Sequence, residues 1–171
     1  LATTLATLAV SAPLYRHFDK TSSALQFVES ANWIPAWNIG YGMGVDGISI
    51  PFIALATLLT VLCVGVSWVA VKTRVREFYA ALLVAETAMV GLFACTNLFL
   101  FYVFWEATLV PLYLLIVIGG GRQRIDTTLK SFLYIAAGSL LMLVGIIWLY
   151  LHTGTFDYTV ILASIQSGSI R

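Results

Sequence analysis

The chain has 171 residues, of which 60% are hydrophobic and only 10% charged, with a net charge of +1 and a mean hydropathy of +0.95. A soluble domain carries about a quarter charged residues, and one of this length has no core large enough to hide so much apolar surface. A bilayer acting as solvent for the excess removes the difficulty, while the small net charge and the lack of a basic run argue against a nucleic-acid partner.

The chain opens at Leu1 inside a hydrophobic stretch, without the basic start and small-residue cleavage site of a signal peptide. Residues 1–15 are therefore expected to be the tail of a truncated transmembrane helix. Residues 16–46 read as an extracytoplasmic linker. It is polar at Arg16, Asp19, Lys20 and Glu29, then aromatic and Gly-rich through Trp33, Pro35, Trp37 and Tyr41. Such rings suit the headgroup level, where a polar edge and an apolar body are both satisfied. Asp46 stands where an N-cap belongs, ahead of a span over residues 47–72. A second complete span over 77–95 reaches a minimal turn at Thr96 and Asn97, and a third follows over 98–118. A basic loop over 119–130 leads to a fourth over 131–151, and residues 152–171 return to the surface. Each complete span is close to the roughly 20 residues that cross hydrocarbon. The expected fold is an all-α polytopic membrane protein, one truncated plus four complete transmembrane helices of a larger bundle.

Orientation follows from the loops. Lys72, Arg74 and Arg76 fall in one, and Arg122, Arg124 and Lys130 in another, while the intervening loops carry few unopposed positives. Lys and Arg accumulate on the cytoplasmic side, so the aromatic linker is expected outside. Cys63 and Cys95 lie within apolar runs and are read as buried free thiols, too few for a disulfide framework or a metal site.

Two carboxylates interrupt apolar spans. Glu106 is near the centre of the third complete span and Glu86 near the middle of the second. An ionisable group at such depth costs about 2.5–3.5 kcal/mol on insertion scales, and persists where it faces protein or a hydrated path. Both lie roughly 14–15 Å from the Thr96 turn at helical rise, which puts them at one depth on adjacent antiparallel helices. Were they to face each other, two like charges in low dielectric would share a proton. Pro111 removes the helical partner of the Ala107 carbonyl, and a helix break there is expected to open a hydrated pocket beside Glu106. Lys130, at the start of the fourth complete span, suits either snorkelling to the headgroups or the mouth of a proton path. His152 reads as interfacial, and Gly119-Gly120-Gly121, with no Lys-Ser/Thr following, as a flexible turn.

Several strings form a pattern: Val45-Asp46-Gly47-Ile48-Ser49, Ser67-Trp68, Glu77-Phe78-Tyr79, Phe104-Trp105-Glu106 with Leu109-Val110-Pro111-Leu112-Tyr113, and Lys130-Ser131-Phe132-Leu133-Tyr134. Together they resemble the antiporter-like membrane subunits of proton-pumping NADH:quinone oxidoreductase, respiratory complex I. Pro111 favours the subunit M (chain 4) type over its siblings L and N. The resemblance implies that Glu106 is the family's essential membrane glutamate, working with a buried lysine on a helix beyond this chain. It implies proton translocation driven by electron transfer in other subunits, which hold NAD, FMN, iron–sulfur clusters and quinone. The chain itself is then expected to hold no cofactor and no metal. It implies subunits L and N as partners and a bacterial or mitochondrial inner membrane as the location. The catalytic candidates are Glu106, Glu86 and Lys130, with Pro111 as the helix break; the role of Glu86 rests on depth alone. Rival readings are a multisubunit Na+/H+ antiporter, a membrane-bound hydrogenase, or a non-pumping scaffold held by carboxyl hydrogen bonds.

Overall fold

An apolar run in hydrocarbon must satisfy every backbone N–H and C=O within itself, and the helix is the single-segment solution. The computed structural model describes residues 1–19, 21–22, 24–119 and 124–168, with backbone alone for 124–127. In order these form α1 (Ala2–His17), β1 (Gln26–Ile34), β2 (Ile39–Val45), α2 (Ser49–Ala70), α3 (Val75–Ala94), α4 (Leu98–Gly119), α5 (Arg124–Thr153) and α6 (Tyr158–Gln166). Among the described residues, four stretches are long and apolar enough to cross a membrane: α2, α3, α4 and Thr128–Thr153 of α5. Their outer faces expose Val66, Trp68, Val69, Leu140, Leu141 and Leu151, a surface suited to lipid and to neighbouring helices. The protein is a multi-pass helical membrane protein. Gly120, Gly121, Lys20 and Arg122, read above as a turn and as loop charges, lie outside the described residues.

The linker over 16–46 is more ordered than expected. It folds into an antiparallel hairpin in which Ala31 pairs with Tyr41 and Ser30 with Gly42. A short 3-10 turn at Pro35–Trp37 and Asn38, left-handed at φ 52°, reverse the chain. Gly42 lies flat on the α3–α4 turn, where its carbonyl accepts from Thr96 N at 3.0 Å and a Cβ would run into Thr96 Oγ1. Thr96 in turn accepts from Tyr158 N at 3.0 Å, and Leu98 N donates to the Phe156 carbonyl at 2.9 Å. One strand thereby ties two helix connections together. At one end of β2, Val45 joins Ile50 and Ile53 with Phe18, Val90 and Phe93 around them. At the other end, Ile39 joins Ile146 and Phe156, with Leu98, Phe99 and Tyr102 around them.

Other departures are local. Residues 152–171 include a further helix, α6, begun by Asp157, whose side chain accepts from Thr159 N and Val160 N. The helix that carries the fourth complete span begins at Arg124, within the stretch expected as the 119–130 loop, and its membrane-length part is Thr128–Thr153. Cys63 is exposed, because it lies off the Ile53–Thr57–Thr60–Val64 stripe that α2 buries. Cys95 is half-buried and donates to the Leu92 carbonyl at 3.2 Å.

Asp46 does act as a cap: its Oδ1 accepts from Ile48 N at 3.0 Å and from Ser49 N at 2.6 Å. Burial works against its charge, but the bonds from Ser49 and Ile48 outweigh burial and hold the carboxyl below the usual carboxylate range. A group whose folded pKa is depressed contributes stability that is present above its unfolded pKa and lost as pH falls through the folded one. Asp46→Ala should cost about 1 kcal/mol of stability at neutral pH. The gap from wild type should narrow below the ordinary carboxylate range, which melting curves of the full-length protein at neutral and acid pH will show.

Candidate functional site

The α3–α4 hairpin sets the rotation of both carboxylates. Gly91 of α3 sits against Phe104 of α4, and Pro111, seven residues beyond Phe104, shares a groove of about 560 Å³ with Ala80, Ala81 and Val84 of α3. Phe104 and Pro111 thus mark the α3-facing side of α4. Tyr102 packs into the cluster with Ile146 and Met142 of α5, and the Tyr113 ring lies 5.7 Å from that of Phe132. Glu106 is four residues after Tyr102 and seven before Tyr113, so helical periodicity puts it on the α5-facing side.

On α3 the reasoning runs the same way. Val90 and Phe93 pack on Ile50 and Ile53 of α2, and Phe93 stacks on Phe52 at 5.2 Å. Glu86, four residues before Val90 and seven before Phe93, belongs to that α2-facing stripe. The two carboxylates therefore share a depth but point to opposite sides of the hairpin. The shared proton considered from sequence is not what this arrangement supports.

Glu106 is half-buried. The Tyr102 phenol lies near both the Glu106 carboxylate and the Ser139 hydroxyl of α5. Ser139 is itself buried, its Oγ donating to the Ala136 carbonyl at 2.8 Å. Glu106, Tyr102 and Ser139 thus form a polar cluster at the α4–α5 interface. Tyr102 and Ser139 were not singled out from sequence, although the four-residue spacing from Tyr102 to Glu106 on a helix was the available signal.

Pro111 does not break its helix, since α4 is continuous from Leu98 to Gly119. Proline removes one backbone bond, the turns on either side keep theirs, and the ring is fully buried. Its groove opens toward α3 and does not include Glu106. Lys130 is exposed. It stands two residues before Phe132, whose side meets α4, and hence on the far side of α5 from Glu106, as snorkelling requires. His152 is also exposed, its ring tilted against that of Trp148 with centroids 4.2 Å apart and Nδ1 2.8 Å from the Trp148 carbonyl. Glu86 is 3% exposed, and its Oε1 has no hydrogen-bond partner among the described residues.

Against known proteins, a family model described as NADH:quinone oxidoreductase/Mrp antiporter, transmembrane, matches residues 95–169. Subunit M of NADH-quinone oxidoreductase from Rhodobacter capsulatus is 43% identical over 163 residues, covering 95% of this chain and 31% of the relative. Residues 95–169 carry the transmembrane domain of this family, and the similarity to its subunit M extends over nearly the whole chain. A second member, NADH-ubiquinone oxidoreductase chain 4 of Arabidopsis thaliana, is 38% identical over 96% of this chain and 33% of its own length. A chain of respiratory complex I from Thermus thermophilus, solved with bound NADH, superposes with a TM-score of 0.82 at 28% identity, covering 94% of this chain and 33% of that one. The chain spans about a third of the length of these relatives. The matched family residues take in Tyr102, Glu106, Pro111, Lys130 and Ser139, while Glu86 falls before them.

Proposed function

We propose that this chain belongs to the proton-translocating membrane arm of an NADH:quinone oxidoreductase, with Glu106 as the switchable charge. The observation that carries the reading is a carboxylate in mid-span with an aromatic hydroxyl and a buried serine near it at the α4–α5 interface. Ionisable groups in hydrocarbon that keep polar company mark proton routes, and hydroxyls beside a carboxylate supply alternative donors and acceptors for a moving proton. In this reading NAD, FMN, iron–sulfur clusters and quinone sit in partner subunits, and subunits L and N flank this one in the membrane arm. The basic α2–α3 connection, with Arg74 paired to Glu77 at 3.0 Å, faces the cytoplasm or matrix. Lys130 lies near the same surface, where its charge is placed to attract protons to the entrance rather than to pair with Glu106. The segment α1 serves as the end of a membrane span.

The test is NADH-driven proton pumping by membranes carrying Glu106→Gln in the full-length protein, with assembly of the complex checked alongside. Lost pumping in an assembled complex supports the proposal, and undiminished pumping favours a scaffold. The family's description also names Mrp antiporters, so a cation/proton antiporter is the second reading. Purification decides between them: a redox-driven complex brings a peripheral arm containing flavin and iron–sulfur clusters, and an antiporter does not.

A further inference from the structure

On the side of α3 that faces away from Glu106, α2 packs against α3, and α1 packs against α2. On α2, Ile53 packs at the level of Val90 and Phe93, and Thr57 and Thr60 follow one and two turns deeper, both buried. On α3, which runs the opposite way, Glu86 lies one turn deeper than Val90. On α1, Ser11 lines a groove with Ile53, and Thr4, two turns deeper, is 1% exposed. Four to seven residues are about 6–10 Å of helix, so Thr4, Thr57, Thr60 and Glu86 lie in one layer of depth within otherwise apolar helices.

The hydrogen bonding of that layer is one-sided. Thr4 Oγ1 donates to the Leu1 carbonyl at 2.9 Å, Thr57 Oγ1 to the Ile53 and Ala54 carbonyls at 3.1 and 3.0 Å, and Thr60 Oγ1 to the Ala56 carbonyl at 2.9 Å. Each hydroxyl proton is committed to backbone, so these side chains have only acceptor lone pairs left. An ionised Glu86 would add acceptors where no donor remains, and Oε1 is unpartnered among the described residues. A proton on the carboxyl turns it into a donor facing acceptors and removes the charge from the bilayer interior. No second charge stands on the facing stripes. α2 presents Ile53, Thr57, Thr60 and Val64 there, and α1 presents Thr4, Leu8, Ser11 and, far above the layer, Tyr15; Leu82 and Val90 flank Glu86 on α3.

We propose that Glu86, with Thr4, Thr57 and Thr60, forms a second proton-binding site between α1, α2 and α3, separated by the α3–α4 hairpin from Glu106. Glu86 holds its proton at neutral pH, and the threonine oxygens accept the resulting O–H. The proposal does not depend on which electron donor or partner complex drives the protein.

Infrared spectra of the full-length protein in its complex test this, as wild type minus Glu86→Gln from neutral to alkaline pH in potassium buffer. The expected difference at neutral pH is the carbonyl stretch of a protonated carboxyl, bleached only at alkaline pH and shifted in frequency by Thr57→Val or Thr60→Val. Exchanging potassium for sodium should leave it unchanged, and Glu106→Gln should leave it in place, so the result reads independently of pumping. Carboxylate bands at neutral pH, a band unmoved by both threonine variants, or a band bleached by sodium would each overturn the proposal. Should Glu86→Gln fail to assemble, the frequency shift in Thr60→Val against wild type reads the same band, and its absence counts against the site.

Discussion

Gly91→Ala should destabilise the protein by about 1–3 kcal/mol, the usual cost of forcing an extra carbon into a packed interface. A Cβ at Gly91 would overlap the Phe104 ring, and Gly91 is itself buried. Small residues at such points let membrane helices approach closely enough for dispersion to hold them, because lipid offers no hydrophobic drive for helix to meet helix. The hairpin also sets which way Glu86 and Glu106 point, so spreading it would disturb both polar sites at once. A lower melting temperature and reduced yield of the assembled full-length protein are expected. Phe104→Ala in the same chain should recover a large part of the loss despite being destabilising alone, which gives a non-additive double-mutant cycle. Additive losses would show that the ring swings aside freely and that close approach at Gly91 does not matter.

The long elements were legible from sequence because their signal is thermodynamic and nearly context-free: hydrocarbon accepts a run of apolar residues as a helix. The spans expected over 77–95 and 98–118 correspond to α3 and α4, and the turn at Thr96 and Asn97 is where the structure turns. Asp46 was legible as a cap for the same reason, since its bonds are to residues two and three positions on. The hairpin was not. β1 shows little burial pattern, and β2 alternates Ile39, Tyr41, Met43 and Val45 with glycines, a period of two that was read instead as loop composition. What fixes the strands is distant: Thr96 in the α3–α4 turn and the clusters on Ile146 and Val90. The candidate site was half legible. Residue type and depth singled out Glu86 and Glu106, but facing depends on helix rotation, which is set by contacts such as Gly91 with Phe104. Pro111 misled for a related reason. The lost hydrogen bond is a property of the residue, whereas continuity of α4 is a property of the packing around it.

Glu106→Gln should reduce proton translocation by about a hundredfold or more, the range over which a positioned acid–base group contributes, while leaving assembly and helix packing nearly unchanged. Glutamine keeps the shape and one hydrogen-bond acceptor, so the half-buried position and the contact with Tyr102 are preserved; only the ability to gain and lose a proton goes. That separation distinguishes a carrier from a strut, since a carboxyl that merely bridges helices is replaced by an amide at small cost. Tyr102→Phe is the companion measurement. It removes the phenol from the Glu106–Tyr102–Ser139 cluster without changing ring packing against Ile146. Pumping should slow by roughly tenfold and not vanish, because Tyr102 positions the carboxylate and does not carry the charge. If Tyr102→Phe abolished translocation while Glu106→Gln spared it, the phenol would be the carrier and the glutamate its support. Pumping unaffected by either change would remove the α4–α5 polar cluster from the route altogether.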